Sequence, residues 1–155
     1  MHKIIKLILS LAIPQLIGLL GSIFTIQSVN NWYTTLAKPV FQPPSWLFGP
    51  VWTILFILIG LSLYFYWQEK SKVNKSIGYI IFAIQMFFNL LWSVLFFDLR
   101  NPLFALIEIF ILWILILINI LLFYNVSKKS AYLLIPYLFW VSFASILNLA
   151  IFILN

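Results

Sequence analysis

Five apolar stretches, at about residues 4–29, 47–67, 77–97, 103–124 and 131–153, take up almost all of this 155-residue chain. Each exceeds the roughly 20 apolar residues that a helix needs to cross a bilayer. Hydrocarbon admits only helices or closed barrels, because every backbone N–H and C=O must find its partner inside the protein. Composition agrees: 65% of residues are hydrophobic, 8% are charged and the mean hydropathy is +1.12, a balance that no soluble fold can cover with polar surface. The expectation is an all-α membrane protein, a single transmembrane domain over residues 1–155 built as a five-helix bundle.

The charges orient it. Lys3, Lys6, Lys70, Lys72, Lys75, Lys128 and Lys129 fall on one side of the alternating spans, against Lys38 and Arg100 on the other. Seven against two places the N-terminus in the cytoplasm and the C-terminus outside. The same rule accounts for the net charge of +6 without a nucleic-acid partner. The first run follows two lysines as a signal peptide would, but its length, Pro14 and the lack of a small-residue cleavage pattern favour a retained helix. Tyr64, Tyr66, Trp67, Tyr79, Tyr124 and Tyr132 gather at the inner helix ends and read as an interfacial belt.

Only one gap is long, residues 30–46. Trp32, Tyr33 and Trp46 sit where a second aromatic belt would lie. Pro39, Pro43 and Pro44 fix their own φ and bias the residues before them to extended backbone, so the gap is a semi-rigid strap, stiffer than simple anchoring requires.

Polar side chains within the spans are few and patterned. Gln85, Asn89, Trp92, Ser93 and Phe96 share one face of the third helix, and Trp140, Ala144 and Asn148 recur every four residues on the fifth. At about 1.5 Å of rise per residue, Trp52, Glu108 and Asn148 lie roughly 8 Å from the outer ends of their spans, Asn89 about 12 Å and Trp140 about 20 Å. Residues from four spans, Trp and Asn from three of them and Glu108 from the fourth, thus share the outer half of the membrane, on the side of the strap. This suggests a cavity walled by Trp and Asn, given room by Ala144 and floored near Trp140. Singly, such residues also serve as helix–helix hydrogen bonds or as core. Glu108 reads as structural: protonated, paired with Arg100 or turned to a neighbouring helix.

The segment "WYTTLAKPVFQPPSWLFGPVW", residues 32–52, resembles the signature of the TspO/MBR family of tryptophan-rich sensory and translocator proteins, departing at Phe41, where the family usually has Trp. "FFNLLWSVLFF", "ALIEIFILW" and "PYLFWVSFASILN" resemble the family's third, fourth and fifth helices. The resemblance implies a five-helix bundle, often a homodimer, in a bacterial cytoplasmic membrane. It also implies a first loop that acts as a lid over a site for porphyrins or similar flat apolar ligands, with protoporphyrin IX as the expected ligand. Carried over residue by residue, the implied ligand-binding positions are Tyr33, Pro44, Trp52, Asn89, Trp92, Trp140, Ala144 and Asn148. The basic residue of the animal sterol motif has no counterpart after Lys129.

Chemistry narrows the function further. Cysteine is absent and His2 is the sole histidine, so ordinary nucleophilic and acid–base sets are missing, and no metal site or obligatory cofactor is expected. The leading expectation is a membrane binding protein that senses, sequesters or transports tetrapyrroles, its partners being lipid, the ligand and a second copy. Lys38 and Arg100, the two outer cations, are weak candidates for contacts to propionates. Two alternatives stand beside it. One is a light- and oxygen-dependent breakdown of porphyrin that uses pocket Trp residues. The other is an assembly protein in which Gly18, Gly21 and Ser22 pack the first helix.

Overall fold

A computed structural model describes residues 2–155. Five long apolar helices run antiparallel in sequence order: α1 Lys3–Val29, α2 Ser45–Gln68, α3 Ser76–Asp98, α4 Pro102–Tyr124 and α5 Lys128–Leu154. The described residues contain no strand. The five-helix membrane bundle expected from the apolar runs is therefore the fold, with ends shifted by up to three residues. Ser127 and Asn101 cap α5 and α4 by accepting from the backbone N–H of Ser130 and Phe104. Lys75 closes the other end of α2 by donating to the carbonyls of Tyr66, Trp67 and Glu69 at 2.9–3.1 Å, groups that would otherwise lack partners.

Two irregularities have local causes. Pro136 has no N–H to give, and α5 is interrupted at Leu134, between Lys128–Leu133 and Ile135–Leu154. The last turn of α3, Val94–Asp98, widens to a π-turn in which Leu99 donates to the Val94 carbonyl at 2.8 Å. Widening lets the consecutive residues Phe96 and Phe97 both turn inward, at 2% and 9% exposure.

The end of the bundle away from the α1–α2 loop is packed solid. Tyr66 stacks on Phe123 at 3.9 Å, and Phe82 stacks on the other side, joining α2, α3 and α4. Tyr66 is 1% exposed and belongs to this core, so its place in the aromatic belt is corrected; Tyr124 and Tyr132 are exposed, as a belt residue is. Ser62 and Ser130 donate to each other's backbone carbonyls and tie α2 to α5. Gly60 lets α1 and α2 touch: a Cβ there would lie 2.8 Å from the Ser10 carbonyl oxygen and 2.9 Å from Leu11 Cα. Lys6 over Trp67 and Lys129 over Phe65 show that the lysines of the N-terminal segment and of the α4–α5 turn gather at this end. A cavity lies at the loop end.

Candidate functional site

The α1–α2 connection begins with a 3-10 turn, Tyr33–Thr35, passes through a second turn at Val40–Phe41, where Gln42 donates to the Pro39 carbonyl at 3.1 Å, and reaches Pro44, whose backbone (φ −57°, ψ 141°) directs the chain into α2. It is fastened at several points. Tyr33 is buried, its ring 6.2 Å from that of Phe96 and 5.7 Å from that of Phe97, and its hydroxyl accepts from the Gln42 side-chain amide. Burial pushes the Tyr33 phenol above its ordinary pKa, against a smaller opposing effect of the Gln42 bond. Phe41 meets Phe143 of α5 edge-on, and Asn155 pairs with the backbone of Ala37.

Beneath this strap lies a cavity of about 430 Å³. All five helices line it. Trp52 and Trp140 stand edge to face, 6.4 Å apart at 89°, with Phe48 5.9 Å from Trp140. Trp52 is backed by Phe56 and Trp92 by Phe96, each pair stacked, at 5.4 and 5.0 Å. Polar groups in the wall are mostly committed to one another. Trp92 donates its indole N–H to Asn148, which in turn donates to the Pro102 carbonyl, both at 3.0 Å. Asn89 donates to the Tyr137 hydroxyl at 2.8 Å, and that hydroxyl donates to Gln85. The wall is thus rigid and aromatic, with its amides oriented by the bundle. Such a surface suits a flat apolar molecule better than a charged or reactive one.

The positions singled out in the sequence are distributed as follows. Tyr33, Trp52, Asn89, Trp92, Trp140, Ala144 and Asn148 line this one cavity. Pro44 does not; it precedes α2 as its cap, and the next residue, Ser45, lines the cavity instead. Lys38 is also outside the lining, its ammonium 4.7 Å over the Tyr33 ring and donating to the Leu36 carbonyl. Arg100 sits in the tight α3–α4 turn at φ 51° and borders a separate hollow with Trp32, Pro102 and Asn155. The two cations therefore do not face each other across the cavity mouth. Glu108 is buried outside the lining, and neither carboxylate oxygen has a hydrogen-bond partner among the described residues, so the pairing with Arg100 is not made.

The polar stripes on α3 and α5 give no hint of a wall on α1. Gln15, Gly18, Ser22 and Thr25 supply one, facing Ser45, Gly49 and Thr53 of α2. The recurrence of small and hydroxyl residues at spacings of three and four on both helices is the signal that could have found it. Gly18 and Gly21 do also pack α1: a Cβ on Gly18 would meet the Phe56 ring at 2.5 Å, and one on Gly21 would meet the Ser93 hydroxyl at 3.2 Å.

A bundle of five spanning helices that encloses an aromatic-walled cavity under a proline-stiffened strap defines an integral membrane protein built around an internal pocket. Residues 10–154 match the TspO/MBR family. The chain is 49% identical to the Tryptophan-rich protein TspO of Archaeoglobus fulgidus over 153 residues, 99% of each chain. It is 46% identical to that of Chlorobaculum tepidum, over 99% of this chain and 98% of the relative. With the Translocator protein of Bos taurus it shares 33% identity, over 88% of this chain and 82% of the relative. The chain belongs to the TspO/MBR family.

Proposed function

We propose that the protein binds porphyrins or similarly flat, apolar molecules in this cavity, and so senses, sequesters or hands on a tetrapyrrole. The observation that supports this most directly is the set of Trp52, Trp92 and Trp140 around one space of about 430 Å³, within the range of small-molecule sites. Indole faces and edges offer a macrocycle large contact area at little cost in side-chain entropy. The name Translocator protein carried by the bovine relative fits a protein that releases its ligand as well as holding it. The excess of lysines at the end away from the strap favours a cytoplasmic N-terminus, with the cavity on the outer side.

Titration with protoporphyrin IX, read by quenching of Trp fluorescence, tests the reading. Saturable quenching is expected, and Trp52→Phe and Trp140→Phe should each weaken it by roughly threefold to tenfold. Ala144→Leu, which fills the small position on the α5 wall, should weaken it more while thermal melting stays near the parent's. Unsaturable quenching, or variants that bind as the parent does, would refute the placement of the site.

A second reading, breakdown of bound porphyrin under light and oxygen, draws on the perpendicular Trp52–Trp140 pair, whose indoles are oxidisable and would touch an excited ligand. It requires that porphyrin absorbance fall only under illumination in air, and more slowly in the two Trp→Phe variants.

A further inference from the structure

The cavity is closed where the strap lies and open where α1 and α2 diverge. At the strap, Tyr33 is 6% exposed, bonded to Gln42 and wedged on Phe96 and Phe97, and Asn155 holds Ala37. Toward the opposite end, α1 and α2 are in contact: Gly60 admits the backbone of Ser10 and Leu11, and Gly18 seats on the Phe56 ring. Between these closures α2 presents Ser45, Gly49 and Thr53, one per turn. All three are exposed on the bundle surface and also line the cavity. Leu19 on α1 is likewise both exposed and lining, with the part-buried Ser22 and Thr25 beside it. A residue that belongs to both the outer surface and the cavity wall marks a mouth. Gly49 is the least obstructed of them, since a Cβ there meets nothing within 4 Å.

This mouth opens onto the lipid-facing flank of the bundle, and its polar atoms are adapted to that position. The hydroxyls of Ser22, Thr25 and Thr53 each fold back onto a carbonyl of their own helix, those of Leu19, Gly21 and Gly49, at 2.7, 3.1 and 2.9 Å. Along Ser22, Thr25 and Thr53 the rim is therefore small, with its hydroxyls bonded within their own helices, and costs little to leave facing hydrocarbon. We infer that the ligand of this cavity is a molecule already dissolved in the bilayer, which passes between α1 and α2 through the leaflet on the strap side while the strap stays fastened. The inference rests on the proposed function for what is bound, and adds where it comes from: a membrane-partitioning planar molecule rather than a water-borne one.

Gly49→Trp places an indole at the mouth, from a position where a Cβ meets nothing within 4 Å, and Gly49→Ala leaves the mouth open. With protoporphyrin IX preloaded into phosphatidylcholine vesicles, Gly49→Trp should slow association by roughly tenfold or more, with equilibrium affinity changed much less, and Gly49→Ala should slow it far less than Gly49→Trp does. Asn155→Ala, which removes the two bonds that tie Ala37 of the strap to α5, should leave the rate unchanged. An unchanged rate in Gly49→Trp, or a rate raised by Asn155→Ala, would overturn the inference and assign access to the strap. A ligand-independent arm uses the cysteine-free background: the thiol of Ala144→Cys, on the far wall, should react with a bilayer-soluble maleimide more slowly when Gly49→Trp is added. If the parent fails to bind porphyrin while the maleimide is still gated at Gly49, the proposed ligand is wrong and the lateral route stands. If porphyrin binds but neither probe is slowed, the route is wrong and the site stands.

Discussion

Asn155 and Ala37, 118 positions apart, are joined as two strands of a sheet would be: the Asn155 side chain accepts from the Ala37 N–H at 3.0 Å and donates to the Ala37 carbonyl at 2.9 Å. The same amide nitrogen also donates to the Ile151 carbonyl at 2.8 Å, which fixes its direction along the end of α5. Two neutral hydrogen bonds of this kind contribute about 1–3 kcal/mol together. Asn155→Ala should therefore raise hydrogen exchange across residues 30–44 with little change in the helices, since both bonds to Ala37 act on the strap alone. Asn155→Asp should have at least as large an effect, because a carboxylate placed against the Ala37 carbonyl has no proton to donate. Exchange unchanged in both variants would show that the aromatic contacts of Tyr33 and Phe41 hold the strap unaided.

Tyr33 makes the same strap sensitive to alkali. Burial raises its pKa above the ordinary tyrosine value of 10.0, with the Gln42 bond acting weakly in the other direction. A raised folded-state pKa means that the docked strap favours the neutral phenol. Its contribution to docking is complete below pH 10 and is lost as pH climbs through the folded pKa. The difference in phenolate absorbance between the parent and Tyr33→Phe should accordingly show a midpoint above that ordinary value. A midpoint at the ordinary value would mean that the ring spends most of its time in solvent, with the strap undocked.

Gly60 provides a test of the packing at the closed end. Alanine is the better helix former by about 1 kcal/mol, so on propensity alone Gly60→Ala should stabilise α2. The Cβ, however, would meet the Ser10 carbonyl and the Leu11 Cα, which are backbone and cannot turn aside. Overpacking of that kind costs about 1–3 kcal/mol, so the steric effect should win and the melting temperature in detergent should fall. Porphyrin affinity should change little, since Gly60 is outside the cavity lining. A higher melting temperature would show that α1 can back away from α2 at no net cost.

What could be read from the chain and what could not divide along physical lines. The spans were legible because hydrocarbon imposes a length and a polarity that no other context demands. The stripes of Trp92 with Asn89 and of Trp140 with Asn148 were legible because helical periodicity brings third and fourth neighbours to one face. Pro44, a position that only the resemblance implies, caps α2 beside the cavity, whose lining on that helix begins at the next residue, Ser45. Tyr66 was assigned to the interface by its position near a helix end, whereas the space beside Phe123 that buries it is created by two other helices. The Asn155–Ala37 pairing has no periodic signature at all, being a contact between chain segments that only the closed bundle brings together. The mouth between α1 and α2 was hidden for a related reason: the same small residues that allow close packing at Gly18 and Gly60 leave an opening at Gly49, and spacing alone does not say where the two helices part.

The placement of the cations decides how a dicarboxylate ligand should be read. A porphyrin whose propionates were gripped from the strap side would need Lys38 and Arg100 at one rim. Lys38 instead covers the Tyr33 ring, and Arg100 borders a separate hollow beyond the cavity lining. Exposed charge pairs contribute about 0–1 kcal/mol each even when correctly placed. Protoporphyrin IX and its dimethyl ester should therefore bind within about fivefold of each other, a span of roughly 1 kcal/mol. Lys38→Gln and Arg100→Gln should alter the two affinities in parallel, and added salt should have little influence on the ratio. Lys38→Gln is the more informative of the pair, because its effect on both ligands should follow the strap's docking on Tyr33. A preference for the acid that shrinks with salt and disappears in Lys38→Gln would show that the strap reaches over the bound ligand and that charge, in addition to the indole walls, recognises it.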